Sequence, residues 1–457
     1  MRRVHTPWRR GPDRVASRRA ARPGFVAAGL TLAFLLTGPV CAEPVSDQPY
    51  AVHAQATFTV QATPAFASPY AGDNSLAPDQ ARETFDLTLF AGVRPWRGAE
   101  LWINPEIDQG FGLSNTLGAG GFPSAEAYKV GKSQPYFKLP RLFLRQTIGL
   151  GGATVRSDAA ANQLAMAVPT DRLVLTLGKF SVVDVFDTNR YAHDPRGDFL
   201  NWAMVDAGAF DYAANAWGFT FGGAAEVYKG RWTLRTGLFD LSKQPNQPSL
   251  ETGFQQYQVL GEVERRGAIG GHTGAIRAGA WFTRGNLALL RDLIAAHDAS
   301  GTKPDNAALR RMNDHGGGYV NVEQEVANGI GLFARASAAD GVTEADEFTD
   351  IDRSLSLGAA FDGARWGRKA DRAGLAVVVD GISRLRQQFL ADGGLGTLVG
   401  DGQLPHPGSE WIGEGWYQLG VMKGVALTVD YQLIVNPAYN RDRGPVHVFG
   451  LRLHAGV

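Results

Sequence analysis

Cysteine is almost missing from this chain: 457 residues contain one, Cys41. A single thiol excludes an intrachain disulfide framework and a Cys-rich metal centre. No stretch of 18 or more consecutive apolar residues occurs, so no helix of this chain spans a bilayer. Familiar catalytic spacings are also missing. The nine His residues do not fall into HExxH or another metal pattern. There is no GxSxG elbow and no phosphate-cradling P-loop. His193 beside Asp194 would be a base with its orienter, but adjacent loop residues rarely point together, so a structural histidine is the better reading. We assign no catalytic residue, no metal and no cofactor. Net charge is missing too, with 45 basic and 45 acidic residues.

That balance hides two unequal parts. The first 42 residues hold eight Arg and one Asp, which leaves 37 basic against 44 acidic residues in the remainder. A mildly acidic body gives no support for a nucleic-acid partner. Arg2 to Arg22 form a basic region and Phe25 to Thr37 an apolar run, followed by small residues at Val40-Cys41-Ala42. The run has the length of a secretion-signal core and is too short to span a bilayer. The expectation is a leader over 1–42, cleaved after Ala42, and one domain over 43–457. A lipoprotein reading of Cys41 stays open, although Gly38-Pro39-Val40 suits it poorly.

Glycine, by contrast, is abundant, at 57 residues, about 12% against a usual 7% or so. High glycine with many short alternating runs suits an all-β chain rich in turns. About 16 segments alternate with period two, the signature of tilted barrel strands. They run from Ala51–Ala62 through Gly98–Glu106, Pro140–Leu150, Arg172–Phe180 and Asn215–Tyr228 to Val446–Gly456. Short connections such as Lys229-Gly230, Asn328-Gly329 and Lys423-Gly424 alternate with long ones such as Ile107–Leu139, Ser181–Ala214 and Arg384–Ser409. Outer-membrane barrels alternate short periplasmic turns with long external loops in this way. Gly151–Asp171 breaks the pattern and invites a short pairing segment at Leu164–Val168; Asp362–Arg372 is also long for a turn. Leu287–His297 has helical spacing inside an external loop.

The strand faces point the same way. Glu100, Trp102, Asn104 and Glu106 share one face of their segment, while Leu101 and Ile103 share the other. Arg141 and Arg145 likewise oppose Leu142 and Leu144. Arginine on a lipid face at midplane costs roughly 2–4 kcal/mol, so the charged face must meet water. A soluble sandwich would alternate similarly, but it has no reason to alternate loop length.

Ser181–Ala214 stands apart. It is about 35 residues without a clean period, unusual in a compact domain, and it carries Phe186, Tyr191, Phe199, Trp202, Met204, Phe210 and Tyr212. That is too much aromatic surface for a solvated tail. Its charges come as close opposite pairs: Asp187 with Arg190, Asp194 with Arg196, then Asp198.

The run DVFDTNRYAHDPRGDFLNWA followed by GAFDYAANAWGFTFG resembles the carbohydrate-selective outer-membrane porins of the OprB type. LWINPEIDQGFGLSNTLGAGGFPSAEAYKVGKSQPYFKLPRLFLRQTIGLGG, from Leu101, and YQLIVNPAYNRDRGPVHVFGLRLH, from Tyr431, extend the resemblance over essentially the whole mature chain. It implies a Gram-negative outer-membrane diffusion channel, an all-β transmembrane antiparallel barrel of about 16 strands with one long loop folded into the lumen. It also implies a narrowed channel whose charged and aromatic side chains contact small carbohydrates such as glucose, with lipid and the barrel-assembly machinery as the other partners. The candidates for that lining are Arg190, Asp194, Arg196, Asp198 and Trp202 in the loop, with Glu100, Trp102, Asn104, Glu106, Arg141 and Arg145 on facing walls. Pinning the loop to the wall is the competing role for its charges. A general or ion-selective porin, and an outer-membrane enzyme, remain the rival readings. One departure is the last residue, Val457, where such barrels commonly end in an aromatic.

Overall fold

The computed structural model describes residues 47–127 and 131–457; the expected leader, 1–42, lies outside them. The described residues form sixteen antiparallel strands closed into a barrel by pairing of the first with the last. These are β1 (Tyr50–Thr63), β2 (Gln80–Val93), β3 (Ala99–Gly110), β4 (Lys132–Ser157), β5 (Met166–Phe180), β6 (Thr220–Lys229), β7 (Trp232–Asp240) and β8 (Tyr257–Ile269). The circuit continues through β9 (His272–Leu287), β10 (Arg311–Ala327), β11 (Ile330–Ala339), β12 (Arg353–Asp362), β13 (Arg372–Gly381), β14 (Glu410–Met422), β15 (Val425–Val435) and β16 (Val446–Gly456). Each strand pairs with its sequence neighbours, and Phe58 opposite Leu453 sits in the closing seam. Closure leaves no sheet edge, which is what lets strands cross lipid.

Loop lengths alternate as expected: two-residue turns at 230–231, 270–271, 328–329 and 423–424 at one end, and long loops at the other. Gly270 and Gly271 both adopt positive φ, the conformation a tight hairpin requires. In the 328–329 turn only Gly329 does so, because a bulge between Glu325 and Ala327 already supplies part of the twist.

Several strands are longer than their patterns suggest. β3 and β4 continue past Pro105 and Pro140 because one register shift, at 104–106, takes both prolines out of the ladder; a second, at 108–110, does the same for Pro135. The 151–171 connection does pair: Thr154 to Ser157 oppose Pro169 to Met166 beyond a bulge at Gly149–Gly151. Conversely, β6 begins at Thr220 and not at Asn215. The Asn215 side chain accepts the N–H groups of Trp217 and Phe219 at 3.1 and 3.4 Å, holding that backbone as a turn.

Apolar side chains split between two places. Leu101, Ile103, Val429, Phe449, Leu451 and Leu453 face outward and are exposed, as they must be to meet lipid. Trp96, Trp232 and Trp411 also face outward, where interfacial belts form. Trp217 does not join them; its ring lies 6.0 Å from the Lys138 ammonium on the inner wall. The second apolar set fills the lumen. Phe199 of the 181–219 loop packs edge-on against Phe333 and Trp416 of the wall, and Phe210 lies 4.9 Å from Trp281. The inner wall is therefore mixed, not uniformly polar as its charges alone suggest.

The external loops interlock as a cap. The helical spacing in the 288–310 loop becomes α2 (Leu290–Ser300), where Leu290 and Leu293 are buried; α2 contacts α3 (Arg384–Ala391) of the 382–409 loop. Arg386 on α3 ion-pairs with Asp350 and Asp352 at 3.1 and 2.9 Å.

Candidate functional site

The 181–219 segment leaves β5 and crosses the lumen. Its first turn is a capping box between Ser181 and Asp184, which fixes the entry direction. Arg141 grips Asp184 with two hydrogen bonds of 2.7 and 2.6 Å. Partial desolvation opposes ionisation of Asp184, but the Arg141 charge prevails and holds its pKa below the usual carboxylate range.

Asp187 then takes a left-handed φ of 53°. Its carboxylate receives Asn321 Nδ2 at 2.6 Å, Ala207 N at 2.7 Å and Arg335 Nε at 3.1 Å. Its own N–H donates to Glu262 at 2.9 Å. Further on, Arg190 N donates to Glu323 at 2.7 Å, and Leu200 N and Asn201 N donate to Glu414 at 2.6 and 3.0 Å. Wall carboxylates thus satisfy the backbone donors of a loop that has no partner strand, which is how irregular chain survives inside a barrel. Asn201 caps the short helix α1 (Trp202–Val205), and Trp202 stacks on Phe122 at 5.2 Å.

The turn at 193–198 carries the charges nearest the opposite wall. Arg196 reaches Asp86 at 3.2 Å, Glu126 at 3.3 Å and Glu106 at 3.8 Å. Glu106 also meets Lys138 at 3.2 Å, and Lys138 meets Asp108 at 3.0 Å. Burial, reinforced by Asp86 and only partly offset by Arg196, pushes Glu126 well above the usual carboxylate pKa. Beside this cluster, Asn104 is fully buried, yet among the described residues neither atom of its amide has a hydrogen-bond partner, and Trp102 Nε1 likewise has none. Buried amides are costly unless something hydrogen-bonds to them. Asn104 is therefore an unsatisfied polar site on the inner wall.

The expected residues sort by exposure. Arg190 and Asp194 are exposed and Arg196 is partly so. Asp198 is buried, pairs with Arg372 at 3.1 Å and accepts the N–H groups of His193 and Asp194; it holds the turn. Trp202 packs into the lumenal core, and Trp102 lies flat on Gly92, where any Cβ would sit 2.6 Å from its ring. Glu100 accepts the N–H of Leu164 at 2.5 Å, and Arg145 donates to Asn162 O at 2.8 Å. These two anchor the tip of the short-turn hairpin 158–165 against the inner wall. Sequence patterning treated that hairpin as an anomaly, not as something that enters the mouth.

One cavity of about 200 Å³ opens beside the segment, lined by Arg190, Tyr191, Glu325, Asp362 and Arg372 among others. The Arg190 guanidinium lies 5.7 Å from the Tyr191 ring. An aromatic face flanked by opposite charges suits the C–H and hydroxyl surfaces of a sugar. Tyr191, Asp362 and Arg372 were not among the expected residues. Tyr191 was visible as aromatic, but its position against Gly331 depends on a contact remote in sequence.

A family model described as carbohydrate-selective porin, OprB family, matches residues 73–456. The high-pH structure of Pseudomonas putida OprB is similar, with a TM-score of 0.67 at 16% identity over 90% of this chain and 94% of that one. The low-pH structure of the same protein gives 0.48 at 14% identity over 90% and 93%. The outer membrane channel DcaP of Acinetobacter baumannii gives 0.45 at 11% over 89% and 97%. No curated protein sequence matches.

Proposed function

Because this chain belongs to the carbohydrate-selective porin, OprB family, a family of passive carbohydrate channels, we propose that it conducts mono- or small saccharides such as glucose across a Gram-negative outer membrane. The sugar's own gradient drives flux, with no cofactor and no catalytic step. The leader over 1–42 is removed after Ala42, the assembly machinery inserts the barrel, and outer-membrane lipid surrounds it.

Selectivity arises where the 181–219 segment faces the wall. The observation that carries this reading is the division of labour along the segment: Asp187, Asp198 and Trp202 are buried in anchoring contacts, Arg196 is ion-paired and partly exposed, and Arg190 and Asp194 are left exposed. In our reading Arg190, Arg196 and Arg372 touch the solute beside Asp194, while Tyr191, Asn104 and Glu106, which are buried, back that lining. Trp102, Glu100, Arg141 and Arg145 hold the frame. Contacts spread over several shallow groups keep binding weak enough for release, which conduction requires.

Liposome swelling with glucose, compared with amino acids of equal size, tests the proposal. Glucose should enter faster, and Arg196→Ala should reduce that preference severalfold by freeing Asp86, Glu126 and Glu106 from their shared cation. Equal rates for both solutes would mark a general porin, and an unchanged preference in the variant would make Arg196 purely structural.

A further inference from the structure

On the outside of the barrel, where β12, β13 and β14 meet the 382–409 and 436–445 loops, lies a groove of about 490 Å³. Two arginines line it: Arg353 at the external end of β12, and Arg441. Both are exposed. Among the described residues neither guanidinium has a hydrogen-bond or ion-pair partner. Two buried arginines of the cap are matched, Arg386 by Asp350 and Asp352 and Arg443 by Asp401 at 3.4 Å; exposed Arg384, outside the groove lining, is like Arg353 and Arg441 without such a partner among the described residues. The groove also makes room for its cation. At Gly408 any Cβ would sit 2.6 Å from Arg441 Nε, so a glycine lets that side chain lie across the surface.

The floor is apolar. Leu355 and Val379 line the groove, and Leu355 is half exposed on the face that continues down the barrel through Leu357. The single carboxylate in the lining, Asp380, turns the other way; its Oδ2 lies 3.2 Å from a Cβ built at Gly121 in the lumen. Two unmatched guanidinium groups therefore stand at the external end of an outward-facing apolar strip. Arginine forks are suited to phosphate oxygens.

We propose that this groove seats a phosphorylated lipid of the outer leaflet. Its phosphate bridges Arg353 and Arg441, and an acyl chain runs down Leu355 and Val379. The site is separate from the lumen, so it stands or falls independently of the solute the channel carries.

The test uses the full-length mature protein in a neutral detergent. Three probes are titrated and bound stoichiometry is read by native mass spectrometry: a bis-phosphorylated, acylated glucosamine disaccharide (lipid A), the same lipid stripped of phosphate, and inorganic phosphate. The phosphorylated lipid should bind at least tenfold more tightly than the stripped one, and Arg353→Gln with Arg441→Gln should abolish that difference. Sugar conductance of the double variant should be unchanged, which reports an intact barrel. Equal binding of the two lipids overturns the proposal, and because that comparison needs no variant it holds even if the double variant does not fold. An undiminished preference in a folded variant also overturns it, as does saturation by inorganic phosphate alone, which would mark a free-anion site.

Discussion

A single carboxylate, Asp187, pins the infolded segment to the inner wall. Asp187 and Arg335 are both fully buried, 3.1 Å apart. Burial raises the Asp187 pKa, and Arg335 only partly restores its charge. The guanidinium in turn has no other carboxylate partner among the described residues; its remaining bonds go to the carbonyls of Asp187, Ala192 and Met204. Removing one member of such a pair costs far more than the pair itself contributes, about 3–5 kcal/mol, because the survivor is a buried unmatched charge. Asp187→Asn keeps the shape and tolerates the left-handed φ. It should still lower unfolding stability by about 3 kcal/mol, read from urea titrations of the folded barrel. Asp187→Ala should lower it further, since alanine adds backbone strain at positive φ. A loss under about 0.5 kcal/mol for the Asn variant, the size of an ordinary surface change, would mean that Asp187 anchors nothing.

The element that decides function is the 181–219 segment, and its stability should depend on pH. His193 Nδ1 stands 3.5 Å from Asp206. Burial pulls the imidazole pKa down, but the adjacent Asp206 carboxylate outweighs it and raises the pKa above its ordinary value. A group with a raised folded pKa contributes stability that is complete below the unfolded value and fades as pH rises through the folded value. The wild-type barrel should therefore lose thermal stability as pH rises from about 6.5, while His193→Gln should be flatter across the same range. Parallel curves for the two proteins would remove His193 as the cause. The importance of this segment was legible from its aromatic content and lack of period. Its path was not. Strand parity depends on adjacent residues, so the inner face of β3 could be read directly; the contacts of Phe199 with Phe333 and Trp416 join positions more than a hundred residues apart. For the same reason Trp102 was correctly placed inside the barrel, but its burial against Gly92 was not visible.

At the scale of the whole molecule, two solvents divide one sheet. Period-two alternation, loop-length alternation and closure between β1 and β16 all follow from that division, which is why the architecture was readable from local pattern. Bulges were the exception, since a shifted register hides where a strand ends; β4 and β5 were each read too short. The division itself can be tested on β12, where neighbours meet opposite environments: Leu357 is 50% exposed on the outer face and Ser356 is 1% exposed on the inner one. Arginine at Leu357 would face hydrocarbon near mid-strand and should destabilise the inserted barrel by about 2–4 kcal/mol in lipid vesicles. The same variant in detergent micelles, where the guanidinium reaches water easily, should show a much smaller penalty. If Leu357→Arg cost the same in both, the outer face would not be reporting lipid, and the reading of the apolar strips as a membrane girdle would fail.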